Sequence, residues 1–198
     1  PMKAESRKQK AEGNATSAFC PLPSAFHLHL PADPRIAATI DAQLEYILIN
    51  RDGPSIQPGS RSYERSWIRD GSLTSAALLR LGRVEEVREF LQWYATFVDA
   101  NGYVPCCVST SGADPVPEHD SHGQFIFLLA EYTRHTRQKE LAGEMWPLVE
   151  RIVKFIESLR AQRMTKRYRG TPFYGLMPES ISHEGYSAKP MHSYWDDF

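Results

Sequence analysis

The chain is poor in cysteine, nearly neutral in net charge and without a long apolar run. Three cysteines in 198 residues cannot build a disulfide framework. Two of them, Cys106 and Cys107, are sequence neighbours, a strained arrangement for a mutual bridge, and they lack CxxC spacing. They read as buried structural thiols in a reducing compartment, with the cytoplasm slightly favoured. Lys and Arg total 23 against 24 Asp and Glu, a formal charge of −1. That balance gives no electrostatic basis for nucleic acid or an anionic membrane as the main partner. No stretch approaches the roughly 18 apolar residues of a membrane-spanning helix. A P-loop, a GxGxxG loop and a GxSxG elbow are all missing, which removes the common nucleotide-binding and serine-hydrolase signatures. What the chain does carry is a 41% apolar fraction, enough for a core, with four Trp, nine Tyr and nine Phe.

Residues 1–32 read as a polar tail, with a short alternating segment Phe26-His27-Leu28-His29-Leu30 at its end. Two histidines at that spacing suit a metal, but no further ligand lies nearby, so an edge or loop segment is expected. Residues 33–198 read as helical hairpins. Asp33 caps and Pro34 opens a helix with Ile36, Ile40, Leu44, Ile47 and Leu48 on one stripe. A second helix is expected from Asp70 or Ser72 to Leu81, with Leu73, Ala77 and Leu81 aligned. A third is expected from Arg83 to Asp99, and a fourth from Asp120 or Ser121 with Phe125, Leu128, Leu129 and Tyr132 inward. A fifth starts near Gln138, with Pro147 separating a short helix from a long one. A further helix starts near Tyr194. The loops over 51–69, 100–120 and 164–192 are long and alternate with short turns. In stacked hairpins they gather at one end, where long loops usually serve function.

Three clusters in those loops carry the chemistry. Trp67-Ile68-Arg69-Asp70 combines a flat ring, a guanidinium fork and a carboxylate at a helix start. It is either a capped, salt-bridged helix end or a grip on a polyhydroxylated ligand. In Glu118-His119-Asp120-Ser121-His122, four ionisable side chains exceed what a cap needs. His119 and His122 are three apart rather than the four of a helical zinc site, so ligand hydrogen bonding is preferred to metal. The third cluster runs from Met177-Pro178-Glu179-Ser180 through Glu184 to Tyr194-Trp195-Asp196-Asp197. It is either a solvated acidic loop or a catalytic one. In the second case Glu179, after an apolar stretch, is expected to be partly desolvated, with a raised pKa suited to an acid.

Trp67-Ile68-Arg69-Asp70-Gly71-Ser72-Leu73, followed by Leu78-Leu79-Arg80-Leu81-Gly82, resembles the first motif of the six-hairpin glycosidases, in their glucoamylase-like branch. The resemblance implies an all-α (α/α)6 toroid and an inverting, exo-acting glycosidase that uses two carboxylates and no cofactor or metal. It places Arg69 and Asp70 on the terminal sugar. It maps the general acid onto Glu179, with Glu184 and Asp196 as alternatives. Trp67, His119, Asp120, His122, Glu184, Trp195 and Asp196 complete the expected binding set for a carbohydrate substrate. The helices of this chain make about half of such a toroid. The expectation is therefore a partial toroid, incomplete at the C-terminus and completed by a second chain or a further half. A catalytically silent sugar-binding or scaffolding domain is the alternative.

Overall fold

A computed structural model describes residues 33–182 and 189–197. The segment Phe26–Leu30 and residue Glu184 lie outside the described residues. The fold is predominantly helical: α1 (Pro34–Ile49), α2 (Ile68–Arg80), α3 (Val84–Ala95), α4 (Asp120–Thr136), α5 (Glu140–Ala161) and the short α6 (Tyr194–Asp197). Strands β1 (Ser66–Trp67), β2 (Cys107–Ser109) and β3 (Gly112–Ala113) form a small antiparallel sheet in the order β1-β2-β3. The helical class is as expected; the small sheet is an addition to it, and β2 and β3 correct the reading of 100–120 as loop only. The strands are too short to show a period in sequence, but Cys106, Cys107 and Val108 form a continuous buried run that a fully covered strand requires.

α1 begins as expected, with the Asp33 carboxylate accepting from the Arg35 backbone N–H and Pro34 in the first turn. Its apolar stripe only half engages. Leu44, Ile47 and Leu48 lie against the core, while Ile36 and Ile49 are exposed and no residue of α1 is buried.

α2 starts two residues before the expected Asp70. The sheet explains this. Trp67 pairs with Cys107, and the Ile68 N–H donates to the Cys106 carbonyl at 3.1 Å, so an N-terminal donor of the helix is satisfied from β2. The face of α2 is also the reverse of the expected one. Leu73 and Ala77 point outward, and Ile68, Gly71, Ser72, Ser75, Ala76, Leu78 and Leu79 are buried. Small residues on this face let α4 approach closely, and α2–α4 is the most extensively packed helix pair. Gly71 is needed here, because a Cβ would run into the Phe90 ring of α3.

α3 ends at Ala95, short of the expected Asp99, and buries Val87, Phe90, Leu91 and Tyr94. α4 buries Phe125, Leu128, Leu129 and Tyr132, as its stripe requires, and ends on Arg137 in the left-handed conformation, φ +60°. α5 is one continuous helix through Pro147, against the expected break. Burial of Leu141 and Met145 before the proline, and of Val149, Ile152 and Leu159 after it, holds both halves on the same core. After α5, Arg163 is 3% exposed. Its guanidinium sits 4.7 Å from the Tyr168 ring centroid and 5.5 Å from that of Phe173.

Gly71→Ala is expected to lower stability by about 1–3 kcal/mol, because overpacking against Phe90 outweighs the gain in helix propensity. The urea midpoint of the variant measures this.

Candidate functional site

The three clusters meet where α2 and α4 begin. Arg69, in the first turn of α2, reaches across to the segment leading into α4. Its Nη1 donates to Glu118 Oε2 at 3.0 Å and to Asp120 Oδ2 at 2.8 Å. Trp195 of α6 donates its indole N–H to the same Asp120 Oδ2 at 2.8 Å. Asp196 takes the other side of the α4 terminus: its Oδ1 accepts from the Asp120 backbone N–H at 3.2 Å. The Asp196 Oδ2 accepts from the Ser180 hydroxyl at 2.6 Å. Backbone bonds complete the closure. Ser180 exchanges both with Met191, and the Ile181 N–H donates to the Pro117 carbonyl at 2.9 Å. Asp197 accepts from the Met177 N–H at 2.8 Å. Arg69 of the first stretch, Glu118 and Asp120 of the second, and Ser180, Trp195 and Asp196 of the third therefore meet in one network.

Charge is distributed unevenly over this end. Burial disfavours the Arg69 cation, but Asp120 and Glu118 outweigh it and hold the guanidinium firmly protonated. Burial raises the pKa of Glu118, and the Arg69 charge only partly offsets that. His119 is depressed by burial against the pull of Asp196. His122 is pushed down to about 3 by burial and by the neighbouring His119. Asp120 Oδ1, His119 Nδ1 and His122 Nε2 are buried polar atoms without a hydrogen-bond partner. Among the described residues no three His, Cys, Asp or Glu side chains converge as a metal site.

Two cavities open beside the network. The first, about 220 Å³, is lined by Asp120, Gly123, Gln124, Phe127, Leu73, Trp195 and Asp196. The second, about 360 Å³, is lined by His119, Gly123, Arg160, Asp196, Asp197 and the apolar Ile156, Leu176 and Met177, with Gly175. No family model, curated protein or solved structure matches this chain.

The expected residues separate into those at the cavities and those behind them. Asp120, Trp195 and Asp196 line the first cavity, and His119 lines the second. Arg69 stands behind Asp120. Asp70 is half-buried in the first turn of α2, next to Arg69, rather than at the cap expected of it, and it lines neither cavity. Trp67 is the N-cap of α2, packed 6.3 Å from the Tyr63 ring with Arg65 over it, and also lines neither. His122 is fully buried between the Tyr103 and Phe155 rings, and its Nδ1 accepts from the Val104 N–H at 3.2 Å. It is a core residue.

Glu179 departs most from expectation. Its side chain is 54% exposed and pairs with Arg163 at 2.8 Å. Its own backbone N–H, with Arg163 beside it, holds its carboxyl below the ordinary range, which corrects the expected desolvation. Proximity to an apolar stretch in sequence did not put the carboxylate against it in space. Gln124, Phe127 and Arg160 had no signal beyond their place on helices, although Gln124 is a polar residue on the inner side of α4, accepting from Ser72 Oγ at 2.6 Å.

The neutral histidines set a pH dependence. Free histidine titrates near 6.5, and His122 is held at about 3 in the fold. Between those values the unfolded chain binds more protons, so stability is complete above about pH 6.5 and falls as pH drops toward 3. From pH 7.5 to 5 we expect a loss of about 2 kcal/mol by urea denaturation. His122→Asn, which keeps an acceptor for the Val104 N–H but does not titrate, is expected to flatten that slope.

Proposed function

We propose that this chain is a glycoside hydrolase, or the N-terminal half of one, that seats a terminal sugar of an oligosaccharide or glycoside in the cavity lined by Asp120, Phe127 and Trp195. One observation carries the reading. The Asp120 carboxylate spends Oδ2 on Arg69 and Trp195, while Oδ1, on a residue of the cavity wall, has no partner. A buried acceptor left unmade is costly, and a sugar hydroxyl is a donor of the right kind. Trp195 and Phe127, 41% and 37% exposed, offer apolar faces to the carbon side of a pyranose ring.

Hydrolysis breaks the anomeric C–O bond, delivers a proton to the leaving oxygen and adds the hydroxyl of a water to the anomeric carbon. Asp196 is the carboxylate we assign to this chemistry. It lines both cavities, and each of its oxygens accepts a hydrogen bond, which fixes the carboxyl where it can orient a water. The resemblance to six-hairpin glycosidases adds inverting, exo-type cleavage and completion of an (α/α)6 toroid by a second chain or a further half. Sugar binding without cleavage is the second reading. The Glu179–Arg163 ion pair favours it, since an ionised Glu179 cannot protonate a leaving group.

Calorimetric titration with mono- and oligosaccharides, run beside a product-release assay, tests both. Trp195→Ala is expected to weaken sugar binding about tenfold. Asp196→Asn is expected to lower turnover by about 10²-fold or more while sugar still binds. Binding without turnover selects the second reading. No binding by the native chain removes both.

A further inference from the structure

Gly123 stands on the border of the two cavities, and only it and Asp196 line both. It lies inside α4, where glycine is disfavoured relative to alanine. Unlike Gly71, it has no packing reason to be there: its φ is not positive, and a Cβ would meet nothing within 4 Å. The space above it is open on the seam between the cavities. On the far side, His119 is 7% exposed and its Nδ1 is a buried atom without a hydrogen-bond partner. Around it the second cavity presents a guanidinium (Arg160), two carboxylates (Asp196 and Asp197) and an apolar floor. Donors and acceptors of both kinds over an apolar surface suit a neutral, hydroxyl-rich ring better than an anion or a cation.

We propose that the second cavity is a second sugar subsite, and that the ligand is at least a disaccharide lying across Gly123 with its glycosidic oxygen beside Asp196. This rests on the sugar-binding reading of the first cavity and adds to it a minimum substrate length. His119 Nδ1 accepts from a hydroxyl of the second ring, and Arg160 donates to another. A side chain at position 123 closes the seam.

The test uses the full chain and matched pairs: glucose with maltose, mannose with α-1,2-mannobiose, and galactose with lactose. Affinities come from calorimetry, and circular dichroism verifies the fold of each variant. At least one disaccharide is expected to bind about tenfold tighter than its monosaccharide. Gly123→Leu, a substitution that favours the helix, is expected to bring that ratio to within about twofold, and His119→Ala to reduce it about fivefold. A native chain with no disaccharide preference overturns the inference, and so does a preference that survives Gly123→Leu; both leave the first cavity as a sugar site. If Gly123→Leu abolishes monosaccharide binding as well, the ratio for His119→Ala decides by the same criterion. If no sugar of any pair binds the native chain, the sugar-binding reading itself fails and the second subsite fails with it.

Discussion

One cation organises this end of the molecule. Arg69 is drawn out of water between Glu118 and Asp120, and the cost of desolvating it is met only while both carboxylates stay in place. Removing one partner from such a buried cluster typically costs about 3–5 kcal/mol. The cluster links the first turn of α2 to the first turn of α4, the two helices whose small-residue interface forms the centre of the fold. Asp120 passes the constraint on to Trp195, and the Asp120 backbone passes it on to Asp196. The short α6, too brief to be stable as a helix by itself, is held by these side-chain bonds.

The carboxylates of the three clusters, alike in sequence, differ in kind once folded. Asp120 is buried and shares one oxygen between two donors. Asp196 has both oxygens engaged and faces open space on two sides. Glu118 is packed behind the cavity wall with a raised pKa. Glu179, exposed, pairs with the buried Arg163 just after α5. Environment, rather than the residue type or its neighbours in the chain, divides the buried, paired carboxylates from the one that faces both cavities.

The helices were legible where a full apolar stripe met a full-length partner. Phe125, Leu128, Leu129 and Tyr132 of α4, and the Asp33-Pro34 start of α1, follow directly from spacing and capping. The inner face of α2 was not legible, because closeness there comes from Gly71, Ser72, Ser75 and Ala76, which carry little hydropathy. The sheet escaped because strands of two or three residues have no period, and Pro147 misled because tertiary burial on both sides overrides a local break. For the site, the long loops and the helix starts after them hold the residues that meet, Arg69 with Glu118 and Asp120, and Asp120 with Trp195 and Asp196, but Trp67, Asp70 and Glu179 of the same stretches line neither cavity. The direction of Glu179 was not legible, since it depends on Arg163, just after α5, being held by the Tyr168 and Phe173 rings of the intervening loop, a folding-back that spacing does not show.

α1 has a different standing from the rest of the fold. It is capped and 16 residues long, yet none of its side chains is fully enclosed. Its hydrogen bonds are therefore expected to open at lower free energy than those of α2, α3 and α4, whose inner faces are buried. With only Leu44, Ile47 and Leu48 resting on the core, α1 is the element expected to detach first under heat or denaturant, ahead of the acidic cluster.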